Sequence, residues 1–244
     1  MNRALLLVVV VACSSTRTRE PGTDDNRVHT DDSTSYEGRP IASTCSYLGA
    51  DWLDRADREA REQPERVLDL MKITPGSTVA DLGAGTGYFT VRMAKRVGPK
   101  GEVLATELQP EMLRLLDTRL QRDKITNVRL IKSTEHEAKL PARCCDAVLL
   151  VDVYHELGDP PGVMAGVRRA LKETGKLVLV EYKGEDASIA IKPEHKMTLA
   201  QIKKELAPLG FAFVESHEEL PDQRVVIFTR DDAPVANPRT KDPR

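Results

Sequence analysis

The seven residues Asp81-Leu82-Gly83-Ala84-Gly85-Thr86-Gly87 constrain the fold of this chain more than any other segment. They continue a short apolar run that begins at Thr78-Val79-Ala80, just after the turn pair Pro75-Gly76. A run of that length between turn residues reads as a buried parallel strand, Thr78 to Leu82. The glycines that follow let the backbone approach a ligand closely, and the start of the next helix presents unpaired N–H groups. In open α/β sheets the carboxyl end of the first strand is where ligands bind. A dinucleotide fingerprint would space its glycines GxGxxG. Here they fall at Gly83, Gly85 and Gly87, with Asp81 two residues ahead.

Strand and helix patterns alternate along the rest of the chain. Helices are predicted over Tyr88 to Val97, Pro110 to Arg122, Pro161 to Leu171 and Thr198 to Pro208. Strands are predicted over Val103 to Glu107, Val128 to Lys132, Ala147 to Val151, Lys176 to Tyr182, Ala212 to Glu218 and Val225 to Thr229. Asp51 to Met71 has apolar positions at both ends that suit a helix packing on a core, and Pro64 divides it into two pieces. The alternation builds right-handed βαβ units, so the fold class is α/β, a mostly parallel sheet with helices on both faces. The link Leu220 to Gln223 is too short for a parallel crossover, which makes the last strand antiparallel.

Composition limits the partners. A formal net charge of -2 and an aromatic share of 4% argue against a polyanion-binding or base-stacking surface, so no nucleic acid is expected. The first residues differ from the rest. Arg3 precedes the apolar run Ala4 to Ala12, too short to span a bilayer but suited to an export signal. Residues 14–44 are rich in Ser, Thr, Asp, Arg and Gly, and read as a disordered tether. Residues 231–244 read as a disordered tail, leaving 45–230 as the folded domain. Cys45, Cys144 and Cys145 show neither a CxxC spacing nor a partnering His pattern, so no metal site and no disulfide framework is expected.

Val10-Val11-Ala12-Cys13 resembles the bacterial lipobox, which implies a signal segment at 1–13 and a lipid on Cys13. That places the protein at the cell envelope on the periplasmic side, or in the cytoplasm if the signal does not function. The strand–glycine-loop segment resembles the first motif of class I S-adenosylmethionine-dependent methyltransferases. Ala105-Thr106-Glu107-Leu108-Gln109-Pro110 is similar to the family's second motif, Cys145 to Leu150 to its fourth strand, and Gly175 to Glu181 to its fifth. The resemblance covers Asp51 to Thr229 and is nearest to methyltransferases of quinone-biosynthesis type. Within them it points to an uncharacterised bacterial group of exported, lipoprotein-like enzymes with an Asp-Val-Tyr-His-Glu loop and a Lys-x-x-His-Lys-Met segment. It implies a Rossmann-like sheet of seven strands and S-adenosylmethionine as cofactor. By the same resemblance Asp81 takes the amino group of the methionine moiety, Gly83, Gly85 and Gly87 shape the loop, Glu107 holds the ribose and Leu108 flanks the adenine. Ser133-Thr134-Glu135-His136-Glu137 departs from the family's usual Gly-Asp-Ala, and the adenine contact is assigned to Glu135 with Thr134 beside it.

The sulfonium activates the methyl group, so the protein must chiefly align the acceptor, with a base needed only for a protonated nucleophile. Candidate catalytic residues lie at strand ends: Asp152, Tyr154 and His155, then Glu181 and Tyr182, then His195 and Lys196. Each has a plainer reading: Asp152 as a loop cap, Tyr154 as a packing residue, His195 and Lys196 as a solvated basic patch. The charged run Arg55 to Arg66 is expected to be a solvated helix face rather than a lid. His155-Glu156 does not extend to the zinc-protease HExxH, because Asp159 stands where the second histidine would. Three functions remain open: a methyltransferase acting on a small-molecule acceptor, a non-catalytic nucleoside-binding lipoprotein and, ranked last, a short-chain dehydrogenase. Oligomeric state is not legible.

The anchor is testable in cells. Wild-type protein should partition with membranes and the Cys13→Ser variant with the soluble fraction; unchanged membrane association in the variant would contradict lipidation.

Overall fold

The computed structural model describes residues 35–232. The signal segment 1–13, residues 14–34 of the expected tether and the tail beyond residue 232 lie outside the described residues.

A hairpin opens the described chain, with β1 (Ser35–Tyr36) antiparallel to β2 (Arg39–Pro40). A 3-10 helix at Tyr47–Asp54 follows, then α1 (Arg58–Glu62) and α2 (Pro64–Met71). The break between the two α-helices falls where Pro64 predicts it: Gln63 sits at φ 44° and the proline takes the first helical position. The alternating part comprises β3 (Thr78–Leu82), α3 (Thr90–Val97), β4 (Glu102–Glu107), α4 (Pro110–Arg122), β5 (Val128–Lys132) and β6 (Cys145–Val151). A 3-10 turn at Tyr154–Glu156 leads into α5 (Pro160–Ala170), β7 (Leu171–Lys183) and β8 (Lys196–Met197). The chain continues through α6 (Leu199–Leu206) to β9 (Phe211–His217) and β10 (Gln223–Arg230).

Seven strands lie in the order β5-β4-β3-β6-β7-β10-β9, and the two-residue β8 adds to the end of β7. β3, β4, β5, β6 and β7 pair in parallel, while β10 runs antiparallel to both β7 and β9, as the short link before it requires. The order reverses at β3, which places the glycine loop at the switch point where ligands of open α/β sheets sit. Both faces are covered. Leu177 and Leu179 of β7 pack with Val163, Met164 and Val167 of α5 and Ile202 of α6. Val178 and Val180 pack on the other face with Leu68 of α2 and Met93 of α3. Two-sided burial explains why these strands read as continuous apolar runs rather than as alternating ones.

Several boundaries differ from expectation, two of them for a legible reason. α3 starts at Thr90 because Gly87, at φ 85°, keeps the chain in a loop through Phe89. β7 begins at Leu171, which pairs with Cys145 before a register shift at Ala147, so α5 ends one residue sooner than predicted. At the start of the Asp51 to Met71 segment, Trp52 is exposed rather than packed on the core and carries the Arg55 guanidinium 4.2 Å from its ring centroid.

Residues 35–44 also depart from the expected tether. The Arg39 guanidinium is buried against the wholly buried Glu205 of α6, with Nε 2.7 Å from Oε1 and Nη2 3.1 Å from Oε2. Its Nη1 donates to the His155 carbonyl at 3.0 Å, and Ala42 N–H donates to the same carbonyl at 3.1 Å. A low apolar content therefore does not leave this stretch undocked, because a bidentate ion pair and backbone hydrogen bonds hold it. Removing one partner of a buried ion pair strands the other. Arg39→Ala should lower the unfolding free energy by roughly 3–5 kcal/mol, and pairing Arg39→Met with Glu205→Leu should restore most of it. Urea melts of the three proteins check this.

Candidate functional site

The site begins with backbone geometry. Gly83, Gly85 and Gly87 have φ of 73°, 53° and 85°, a region that side chains other than glycine rarely adopt. Gly83 and Ala84 donate to the Thr106 carbonyl at 2.9 and 3.1 Å, which fixes the loop against the end of β4. A Cβ on Gly83 would stand 2.5 Å from Cγ2 of Val153, and one on Gly85 2.8 Å from Cδ1 of Leu53. Gly83 is therefore demanded by the branched Val153 side chain as well as by conformation, and Gly85 by its conformation.

Two carboxylates flank the loop. Glu107, buried at the end of β4, accepts from Gly85 N–H through Oε2 at 3.0 Å and from Gln109 N–H through Oε1 at 2.8 Å. A carboxylate has about four acceptor positions, so these two bonds leave capacity for a vicinal diol. Asp81, buried at the end of β3, accepts from the Thr90 hydroxyl at 2.5 Å. Burial pushes its carboxyl up to about 6, against the Thr90 hydrogen bond and the Arg58 charge, which favour ionisation.

The charged run Arg55 to Arg66 is not simply a solvated helix face, which corrects the expectation. Glu62 is buried and takes Arg55 at 2.7 Å and Arg58 at 2.7 Å. Arg58 lies 4.1 Å over the Tyr88 ring just beyond the glycine loop. Asp54 pairs with Arg119 of α4 at 2.7 Å, and Arg119 donates to the Thr86 carbonyl at 3.0 Å. Gln109 closes the other end, with Nε2 donating to the Cys45 carbonyl at 2.8 Å and Oε1 accepting from Tyr47 N–H at 2.9 Å. Residues 45–62 thus form a cap on the loop. Gln109, Leu53 and Val153 were missed as site residues; only the position of Gln109, two residues past Glu107, could have signalled one of them.

A second cluster lies beside the first. Glu181 of β7 is fully buried, accepts from Tyr154 N–H at 3.0 Å and stands 2.5 Å from His155 Nδ1. His155 Nε2 faces His195 Nδ1 at 3.1 Å. Burial works to lower the His155 pKa, yet the Glu181 carboxylate overcomes it and holds it above its ordinary value. Burial and the His155 charge lower that of His195. The Glu181 carboxylate thus holds a His155 proton on Nδ1, and the lowered pKa of His195 favours its neutral form. Glu156 is pushed up to about 7 by burial, and its Oε2 accepts from Cys45 N–H at 3.4 Å. Cys45 and Gln109 therefore connect this cluster to Glu107.

The remaining candidates divide. Asp152 takes φ 53° and accepts from Gln223 at 2.7 Å; burial and the nearby Glu62 and Glu181 raise its carboxyl well above the usual range. Tyr154 is a correction: its ring is wholly buried in the cluster with α5 and α6, because the 3-10 turn points it into the core and His155 toward β7. Lys196 donates to the Asp186 and Ile189 carbonyls at 3.1 and 2.6 Å, so it clamps its own loop. Tyr182 is buried at the end of β7, and burial raises its hydroxyl pKa. Thr134 and Glu135 are exposed in a turn where Thr134 N–H donates to the Glu137 carbonyl at 3.0 Å, while the buried Ser133 donates to the Glu107 carbonyl at 3.0 Å. Leu108 is half-buried beside Glu107.

This geometry agrees with what the chain is similar to. Residues 73–224 match a family model described as a methyltransferase domain. A ubiquinone/menaquinone biosynthesis C-methyltransferase, UbiE, of Shewanella sp. (strain W3-18-1) is 30% identical over 132 residues, 53% of this chain and 49% of the relative. The chain thus spans about half the length of the curated relatives it matches. Among solved structures, a SAM dependent methyltransferase from Aquifex aeolicus is 25% identical with a TM-score of 0.73, covering 77% of this chain and 100% of that one. The [4+2]-cyclase SpnF shares the fold at 13% identity and a TM-score of 0.60, over 70% of this chain and 80% of that one. The match over most of the β3-to-β10 region, on a fold with the same architecture, establishes that the chain belongs to the methyltransferase-domain family.

Proposed function

We propose that this protein transfers a methyl group from S-adenosylmethionine to a small-molecule acceptor. The observation that carries the reading is the pair of buried carboxylates, Asp81 and Glu107, on either side of a loop that only glycine can form. The residues present fit the cofactor. Gly83 and Gly85 provide the close backbone approach, Glu107 retains acceptor positions for the ribose hydroxyls, and Asp81 offers a buried carboxylate to the ammonium. Leu108 and the turn at Thr134 and Glu135 are assigned to the adenine side. When bound, the cofactor supplies a methyl group already activated on a sulfonium.

The chain's own part is to orient the acceptor and handle its proton. Neutral His195, next to a His155 held by Glu181, suits removal of a proton from an acceptor whose nucleophile becomes reactive on ionisation. His195 would take the acceptor's proton, and the acceptor would gain the methyl group that the cofactor supplies on becoming a thioether. A carbon activated by a neighbouring hydroxyl fits this need, in keeping with the C-methyltransferase names of the relatives. Asp152 borders the same cluster as a positioning residue. The second reading, a non-catalytic nucleoside-binding lipoprotein, keeps the same loop and carboxylates for ligand binding without the transfer step, since the fold alone does not fix the chemistry. The anchor at Cys13 and an envelope location belong to either reading; among the described residues no helix is long and apolar enough to cross a membrane.

Calorimetric titration of S-adenosylmethionine into the full chain tests the reading. Micromolar binding is expected, weakened at least about tenfold in Asp81→Ala and in Glu107→Ala. The pH dependence has a definite sign. The folded value of about 6 exceeds the ordinary carboxylate value, so Asp81 holds its proton more tightly folded than unfolded and costs the free protein stability as pH rises across that window. The ammonium prefers the ionised form, so affinity should rise as pH climbs to about 6 and level off above it. A flat profile across this range, or full binding by both variants, would contradict the assignment.

A further inference from the structure

Among the described residues, three ligating side chains converge on one point outside the glycine loop: His155, Glu156 and His195. His155 Nε2 and His195 Nδ1 are 3.1 Å apart, and Glu156 Oε1 lies 4.0 Å from the first and 3.8 Å from the second. Ligand atoms bonded at about 2.1 Å around a tetrahedral ion stand about 3.4 Å from one another, so the three atoms already span the right space. The carboxylate distances are too long for hydrogen bonds, so those bonds do not explain why Glu156 Oε1 joins the two rings.

The surrounding contacts select the ligating tautomer. His155 Nδ1 stands 2.5 Å from the Glu181 carboxylate, which directs its N–H there and turns the Nε2 lone pair to the point of convergence. Glu181 is itself fixed by Tyr154 N–H. A carboxylate that orients a histidine through its far nitrogen is the outer-shell arrangement of metal-binding imidazoles. Glu156 is held by Cys45 N–H through its other oxygen. Access exists from one side, because the His195 side chain is 26% exposed while that of His155 is 1% exposed. Two imidazoles and a carboxylate suit zinc and its divalent neighbours rather than soft thiolate-seeking ions.

We propose that His155, Glu156 and His195 bind a divalent transition-metal ion of the zinc class, with Glu181 orienting His155 and one position left open toward the acceptor. Cysteine spacing alone predicts no metal, and the site uses no cysteine. Binding of the ion does not depend on cofactor binding; with the ion in place His195 is a ligand and the open position takes the acceptor oxygen instead of a histidine base taking its proton, a use that rests on the methyltransferase reading.

The test is titration of Co2+ into the chelator-stripped full chain, followed by its visible d–d absorption, with displacement by Zn2+. One saturating equivalent is expected. His195→Ala and Glu156→Gln should abolish the band, and Glu181→Gln should weaken binding about 10–100-fold. His217→Ala, which removes a half-buried ring beside Glu215 and Glu219 away from the cluster, should change nothing. Circular dichroism of each variant establishes that it is folded. No saturable band in the wild type, or an undiminished band in folded His195→Ala or Glu156→Gln, overturns the proposal. S-adenosylmethionine titration of the same samples separates the two readings, since cofactor binding without Co2+ binding defeats only the metal site, and the reverse defeats only the methyltransferase.

Discussion

The carboxylate of Glu107 fastens separate pieces of the chain at once. One oxygen takes the N–H of Gly85 and the other that of Gln109, so the glycine loop and the start of α4 are referred to a single buried group at the end of β4. Gln109 then passes the constraint to the cap, through the Cys45 carbonyl and the Tyr47 N–H. Cys45 passes it on to Glu156 and the histidine cluster. Two hydrogen bonds to one buried carboxylate suit it to hold a loop built on left-handed glycines. Whatever binds at the loop must do so in a frame that this one residue sets.

That frame places two chemically different poles side by side. The pole at Asp81 and Glu107 is made of acceptors around a backbone turn and favours a cationic, hydroxyl-bearing ligand. The other, around Glu181, His155, Glu156 and His195, favours proton handling or metal ligation. Val153 joins them physically, since its side chain fills the space a Cβ on Gly83 would need and it lies two residues before His155. The fold alone does not choose the chemistry, as the cyclase among the structural relatives illustrates. The pairing of the poles is what favours group transfer over simple binding.

Much of the fold is legible in the residues. β3, α4 and β5 end where apolar period and turn residues place them, because each is bounded by local signals such as Pro110 and Gly83. The antiparallel last strand follows from the length of one link. The loop, Asp81 and Glu107 are equally plain, since their spacing is local to two consecutive strands. What escaped depends on contacts distant in sequence. Arg39 looks like any tether arginine until Glu205, 166 residues later, buries it. Arg58 and Glu62 look like a solvated i,i+4 pair until the glycine loop is packed beneath them. Tyr154 and His155 are adjacent, and only the 3-10 turn decides that one faces the core and the other the site.

The central claim is that one site, framed by Glu107 and capped by residues 45–62, receives the cofactor. Amide hydrogen exchange of the full chain with and without S-adenosylhomocysteine tests it most directly, because it reports where opening is suppressed. The account predicts added protection at Gly83 to Tyr88, at Glu107 to Gln109 and across the cap. Protection confined to other elements, or none at saturating ligand, would contradict it.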